Sequence, residues 1–547
     1  MGRNSGNRVN AVGAVLFMVL AVWASSPWMR LARAQSTGGR KSAVLSRGKT
    51  GTPSKTAQAG IAKRFAARAD ELMDGGIAGR GEWGALVVDA ASGEILYQRD
   101  ADKYFTPASN MKLLTTALAL AKLGPAYRFR TTVETHGVIS ADGMISGDLV
   151  LVGRGDPNLS NRVFPYAGKE EFDGAPTRVL EELADTVVAR GVKSVNGDIV
   201  GDDSYFPRER YPSGWEIDDT VWEYGAAISA IVVDDNTARL TLTAGLNAGD
   251  PVLAAVVPAT PDFIVENHVA TSAAGVKPDL TLVREPGANV VVVSGTLPAN
   301  SPPRTLVLAI QEPALHAAAV LKQLLKMRGV HVSGVARGQH ESATASDAPL
   351  VLAEHTSAPL SDSVKLVNKI SQNLHTEMYL RATARQNGLW KTPEELAKFP
   401  EGFYAEAGIV SGDVVQADGS GLSRHDLVTP RALVNILNYA QKQPWFGTYY
   451  DSLPVAGVDG TLEDRMRNTA AAGRIHAKSG SLEHVRTRAG YAETASGRRL
   501  IFSFMGNNQP GKSHEATDVL DGLCVAMAEE WAATEPVNHA KRKRSGE

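Results

Sequence analysis

One cysteine, Cys524, stands in 547 residues. A lone thiol excludes an internal disulfide framework and offers no thiolate cluster to a metal. Cys524 sits in an apolar stretch with helical period, which marks it as core and not as a nucleophile. Net charge is nearly absent: 57 Lys and Arg face 59 Asp and Glu, leaving −2. Residues 1–34 hold four arginines and no acid, so loss of that segment would take the balance from −2 to −6. A mildly acidic chain has no bulk electrostatic reason to bind nucleic acid. The apolar run Ala11 to Ala24 is short of the ~20 residues that a membrane span needs. No internal repeat recurs at a fixed period. With 43% apolar and 21% charged residues, the chain has globular composition and room for more than one domain.

The N-terminus has the layout of a secretory signal over 1–34: Arg3 and Arg8, then the apolar core, then Ala32-Arg33-Ala34 before Gln35. An uncleaved anchor is the alternative, and either reading exports the body of the protein to the periplasm or cell envelope. Residues 35–60, rich in Gly, Ser, Thr and Lys, read as a flexible leader. Ile61 to Met73 has the spacing of an amphipathic helix. Ala85–Val88, a turn at Ala91-Ser92-Gly93 and Ile95–Tyr97 read as a hairpin. From Tyr127 to about Asp347 strand-and-turn texture dominates, interrupted by a helix from Pro313 to Arg328 that is closed by Gly329. Helical patterns return at Val364–Ala384 and Arg431–Lys442. Strands follow around Ile475–Lys478, Thr487–Glu493 and Arg499–Met505, and a last helix near Ala516–Ala532. The tail Lys541-Arg542-Lys543-Arg544 is a solvated end, or a point of peripheral contact with an anionic membrane surface.

Ser109 and Lys112 carry the first sign of chemistry. They open an apolar run, Leu113, Leu114, Ala117, Leu118 and Leu120, that has helical period and stops at Gly124-Pro125. Residues three apart share a helix face, so the Lys112 amine can reach the Ser109 hydroxyl. A serine hydroxyl attacks only once a base takes its proton. The pattern alone is cheap, because Ser46 and Lys49 repeat it inside the leader. Ser371-Gln372-Asn373, within a helical stretch, and Lys478-Ser479-Gly480, at the end of a strand, are equally common in isolation. Only one set has the order helical Ser-x-x-Lys, helical Ser-x-Asn, strand Lys-[Ser/Thr]-Gly.

That ordered set resembles the penicillin-binding-protein and serine β-lactamase superfamily. Asp418-Gly419-Ser420-Gly421-Leu422-Ser423-Arg424, Leu453-Pro454-Val455-Ala456-Gly457 and Gly153-Arg154-Gly155-Asp156-Pro157 extend the resemblance to the class C low-molecular-mass penicillin-binding proteins. These are the S13 peptidases of the D-alanyl-D-alanine carboxypeptidase/endopeptidase type. Gly214-Trp215-Glu216-Ile217-Asp218-Asp219 with Tyr224-Gly225-Ala226 also fits. The 262 residues between Ser109 and Ser371 leave room for extra domains that a compact β-lactamase lacks. The resemblance implies an α/β (α+β) transpeptidase-like fold, with its first part at 61–126 and its second at 348–535. It also implies β-rich domains inserted at 127–347 and a basic tail at 536–547. Two positions depart from the family pattern: Ser479 replaces the usual Thr, and Gln372 the frequent Asp.

The resemblance implies a serine D,D-peptidase that cleaves peptidoglycan stem peptides through an acyl-enzyme, with no cofactor or metal. Ser109 would attack the carbonyl of the penultimate D-Ala. Lys112 would be the base, its ammonium disfavoured by burial and by the positive Lys478. Ser371 would relay a proton to the leaving amine, and Asn373 would bond the acyl amide. Lys478, Ser479 and Gly480 would receive the terminal carboxylate, and the N–H groups of Ser109 and Ser481 would form the oxyanion hole. β-Lactams should acylate the same serine. Asp218 or Asp219 could pair with the free ammonium of diaminopimelate in a D-Ala–diaminopimelate cross-link. The alternatives are a β-lactamase, which requires rapid deacylation, and a non-catalytic peptidoglycan- or penicillin-sensing module, which would not need the intact set.

Overall fold

The computed structural model describes residues 55–531, apart from 286, 342–347 and 511–513. The expected signal segment, most of the expected leader and the basic tail lie outside the described residues. Among the described residues no helix is long and apolar enough to cross a membrane.

Five strands, β1 (Glu82–Asp89), β2 (Ile95–Arg99), β3 (Ile475–Leu482), β4 (Val485–Glu493) and β5 (Arg499–Asn507), form one antiparallel sheet in the order β2–β1–β5–β4–β3. The β1–β2 turn is closed by Asp89, whose carboxylate accepts the N–H groups of Ala91 and Ser92. β1 lies against β5, with Glu82 opposite Asn507 and Asp89 opposite Leu500, so the two ends of the chain share one sheet. Alternate side chains of a strand point to opposite faces. Leu86 and Val88 enter one core with Leu113, Leu114 and Leu118. Trp83, Ala85 and Val87 enter another with Phe65, Ala69, Leu523 and Met527. A strand covered on both faces needs an unbroken apolar run, which is why β1 does not alternate with polar residues.

The covering helices are α1 (Lys55–Asp74), α2 (Met111–Lys122), α3 (Leu360–Ile370), α4 (Asn373–Gln386), α5 (Pro430–Ala440) and α6 (Glu515–Glu530). α1 begins inside the expected leader: Lys55 onward continues the amphipathic period, and α1 packs on α6. α2 is anchored by Leu113, Leu114, Ala117 and Leu118, all fully buried. Each buried leucine contributes ~1.5–3 kcal/mol of transfer free energy, so Leu114→Ala should cost ~2–5 kcal/mol.

The expected single helix over Val364–Ala384 is two helices, α3 and α4. Ser371 stands between them in the left-handed region (φ +66°), and Gln372 is extended. Gln372 caps α4 through its side-chain oxygen, which accepts His375 N–H (3.3 Å). The apolar period runs through the break unbroken, so periodicity could not reveal it.

Residues 130–356 build separate sheets. Strands Arg130–Thr135, Leu149–Val152, Ile199–Asp202, Ala336–Gln339 and Leu350–Thr356 form a five-stranded sheet. Helices Arg178–Ala189 and Pro313–Met327 share its core. The first of those helices was not expected, although Val179, Leu180, Leu183, Ala184 and Val187 have helical spacing. Two three-stranded sheets, around Thr237–Thr243 and Val290–Pro298, share a further core. Arg130–Thr135 pairs antiparallel with Leu350–Thr356, so the chain enters and leaves this region through adjacent strands. Phe206, Ile228 and Val232 of the region also bury into the core of α2.

Candidate active site

Ser109 lies on a short 3-10 turn, Ala108–Asn110, that leads into α2. Ala108 before it has φ +47°, a conformation that costs a non-glycine residue ~1–3 kcal/mol and persists only where the surroundings impose it. Two close backbone approaches do so here. A Cβ on Gly421 would stand 1.8 Å from Ala108 O, and one on Gly480 would stand 2.7 Å from Pro107 O. Thr487 Oγ1 also donates to Pro107 O (2.7 Å). The turn that presents Ser109 is thus pressed between the Ser420-Gly421 turn and the edge strand β3.

A continuous polar chain runs through Ser109. Its Oγ is 3.0 Å from Lys112 Nζ and 3.0 Å from Ser371 Oγ. Lys478 Nζ donates to Ser371 Oγ (2.9 Å) and to Ser479 O (2.9 Å). Lys112 Nζ donates to Asn373 Oδ1 (2.6 Å) and Ser420 O (2.7 Å). The last two oxygens only accept, so a neutral Lys112 amine spends both hydrogens on them and turns its lone pair to the Ser109 hydroxyl. Asn373 gives one amide hydrogen to Tyr224 O (2.8 Å), and among the described residues its other amide hydrogen meets no acceptor.

Lys112 and Lys478 are both 0% exposed. Burial lowers Lys112 to about 8, against the pull of Asp418, Glu377 and Asp426. Desolvation is the largest cause for both lysines, and the repulsion between them, which acts on each, adds to it. Among the described residues no carboxylate pairs with Lys478, and burial together with Lys112 depresses it far below the ordinary lysine range.

β3 carries Lys478, Ser479, Gly480 and Ser481, and it is an edge strand. Alternation turns Gly480 toward Pro107 and Ala108, while Ser479 takes the other face opposite Arg488 of β4. Arg488 is buried, pairs with Asp521 (2.6 Å) and directs Nε at Ser479 Oγ (3.3 Å). Ser481 is exposed on the strand, opposite Arg486.

The segment 215–224 reaches the site through Tyr224 O. Asp219 is half-buried and hydrogen-bonded to the Tyr224 hydroxyl, and burial pushes its carboxyl upward. Asp218 is exposed. Trp215 spends its indole N–H on Asp418 Oδ2 (2.9 Å), and Glu216 pairs with Arg424 (3.1 Å). Glu377, Arg424, Tyr224 and Arg488 went unassigned in the sequence. Glu377 had a legible signal, four residues after Asn373 on one face of α4. Arg488 had none, because only the pairing of β3 with β4 sets it opposite Ser479.

A serine held between two buried lysines and a second hydroxyl, in front of an edge strand, is the arrangement of a serine acyl-transfer enzyme. The three-layer fold that carries it is that of the penicillin-binding proteins. The chain belongs to the D-Ala-D-Ala carboxypeptidase 3 (S13) family, whose profile matches residues 66–528, and it is a serine peptidase, a hydrolase. It is 35% identical over 471 residues to the D-alanyl-D-alanine carboxypeptidase of Actinomadura sp. strain R39, covering 84% of this chain and 82% of that one. It is 28% identical over 428 residues to the D-alanyl-D-alanine carboxypeptidase DacB of Haemophilus influenzae, covering 77% of this chain and 84% of that one. The crystal structure of penicillin binding protein 4 from H. influenzae superposes with a TM-score of 0.72 at 24% identity, over 86% of this chain and 98% of that one.

Proposed function

We propose that this peptidase cleaves D-Ala-D-Ala termini and D-Ala–diaminopimelate cross-links of peptidoglycan with Ser109 as nucleophile. The observation that carries the reading is the polar chain Lys478–Ser371–Ser109–Lys112–Asn373. In acylation Ser109 Oγ bonds to the carbonyl carbon of the penultimate D-Ala, and its proton passes to Lys112 Nζ. The oxyanion forms against the N–H groups of Ser109 and Ser481; such donors are commonly worth ~3 kcal/mol each. Collapse breaks the C–N bond, and the proton leaves Lys112 through the Ser371 hydroxyl to the departing nitrogen. Water then attacks the ester, gives its proton to Lys112, and Ser109 recovers it as the acid product leaves. β-Lactams enter at the same step as covalent inhibitors.

Asn373 offers its other amide hydrogen to the acyl amide of the substrate. The substrate carboxylate sits at the β3 edge, with the Ser479 hydroxyl steadied by Arg488, the Lys478 charge nearby and Gly480 allowing close approach. Asp218 and Asp219 receive the ammonium of diaminopimelate; the carboxylates of Glu216 and Asp218 beside Asp219, offset in part by Arg424, support this. Residues 61–126 and 348–535 form the peptidase body and 127–347 its insertion. Residues 1–34 direct export, and the basic tail gives at most peripheral membrane contact. The test is mass spectrometry of penicillin-labelled protein together with muropeptide turnover. Wild type should carry the adduct on Ser109, and Ser109→Ala should lose both label and product. An adduct formed at normal rate in the variant would remove Ser109 as nucleophile.

A further inference from the structure

Three carboxyl groups act on Lys112 from α4 and from the segment 418–426. Glu377 of α4 accepts Gly419 N–H (2.8 Å) and pairs with Arg381 (2.7 Å), which also pairs with Glu209 (2.9 Å). Asp418 accepts Gly421 N–H (2.6 Å), Ser423 N–H (2.9 Å), Ser420 Oγ–H (3.0 Å) and the Trp215 indole. Asp426 Oδ1 accepts the N–H groups of Ala417 (2.7 Å) and Asp418 (3.3 Å). Its other oxygen, Oδ2, is buried with no donor near it, while its carboxyl group lies within hydrogen-bond reach of that of Asp418. Two ionised carboxylates cannot bond each other, so a proton kept on Asp426 is what pairs them. Thr115 Oγ1, from α2, holds the same turn by donating to Gly419 O (2.7 Å).

We propose that Glu377 and the Asp418–Asp426 pair are positioning residues for Lys112. They fix the 417–423 turn so that Ser420 O takes one lysine hydrogen, and since burial raises Glu377 only to about 7, two negative charges act on the amine where it titrates, at about 8. The inference rests on Lys112 being the base. The charged and titratable groups facing Lys112 are Glu377 and Arg381 from α4, Asp418 and Asp426 from the turn, and Lys478 from β3. Burial alone would leave a neutral amine too weak to draw a proton from serine. A third ionised carboxylate would hold the ammonium permanently. The shared proton sets the balance between these extremes, and Arg381 tempers Glu377 in the same sense.

The experiment measures the acylation rate of the full-length protein by a fluorescent penicillin from pH 6 to 10. Wild type, Glu377→Gln, Asp426→Asn and Lys112→Ala are compared, with thermal midpoints as a check on folding. Loss of the Glu377 charge makes the Lys112 ammonium easier to deprotonate. The acidic limb of Glu377→Gln should therefore move to lower pH by about one unit, with a lower plateau. In Asp426→Asn the amide supplies the hydrogen that the shared proton supplied, so the limb should stay in place. A folded Glu377→Gln whose limb does not move overturns the inference. So does an Asp426→Asn limb displaced as far as expected for Glu377→Gln, and that arm decides alone should Glu377→Gln not fold. Normal acylation by Lys112→Ala would instead remove Lys112 as base, a separate failure.

Discussion

The pockets of Lys112 and Lys478 lie either side of Ser109, and both lysines are wholly buried. Their surroundings differ in kind. Lys112 faces two carbonyl oxygens, three carboxyl groups act on it, and it settles at about 8. Among the described residues Lys478 donates to a hydroxyl and to its neighbour's carbonyl, and burial with Lys112 nearby depresses it well below the ordinary lysine range. Desolvation is therefore common to both, and counter-charge separates them. One pocket is complete in the free enzyme. The other lacks an anion, which a substrate carboxylate would supply.

The strongest test of the difference is Lys112→Ala, expected to lower acylation by ~10³-fold or more, in the range of a lost general base. In the intact protein kcat/KM should fall tenfold per pH unit below about 8, because only the neutral amine accepts the serine proton. A rate flat from pH 6 to 9 would end the assignment. Next in size, Lys478→Ala should cost ~2 kcal/mol or more on substrates that carry the terminal carboxylate, and less on an ester without it. Equal losses would mean that Lys478 serves Ser371 and Lys112, and not the substrate.

Stability should separate the pockets with opposite signs. Lys478→Met removes a buried amine with no counter-charge and should raise the thermal midpoint by about 1–3 °C. Lys112→Met leaves Ser420 O, Asn373 Oδ1 and the carboxylates without their partner and should lower it. The proton linkage has one sign for both lysines, since both are lowered. A lysine lowered to about 8 binds fewer protons than its unfolded form between there and the ordinary 10.5, so stability rises with pH across that window. Equal shifts in the two variants would show that counter-charge does not distinguish the pockets.

Away from the lysines, Asp219→Asn or Asp218→Asn should reduce kcat/KM for a diaminopimelate-bearing peptide by ~5- to 10-fold relative to a neutral isostere. Unchanged selectivity in both would remove the amine-binding role. The smallest effect should be Ser479→Thr, within ~3-fold on any substrate, since the hydroxyl is retained and only a methyl is added.

Much of the peptidase body was legible before folding. The β1–β2 hairpin, α2, α5, α6 and the three C-terminal strands stand where apolar period and turn residues put them, because each is a local pattern closed by a local stop. The break at Ser371 was not legible, since the backbone there is set by packing across the chain. Lys369, just before it, is buried in a salt bridge to Asp459 (2.6 Å), 90 residues on. Nor was the support behind Lys112. Asp418-Gly-Ser-Gly-Leu-Ser-Arg was visible as a motif, but its carboxylate has no evident task until α4 brings Glu377 against the same turn.

What the sequence determined by itself is the candidate set and its order: Ser109 and Lys112 within one turn, then Ser371 and Asn373, then Lys478. Spacing along a helix or strand is enough to bring such near neighbours together. Only the tertiary structure decided how deeply each lysine is buried, which carboxyl groups act on Lys112, and that Arg488 stands at Ser479. Those outcomes depend on burial and on contacts between residues tens to hundreds of positions apart, and neither quantity exists until the chain has folded.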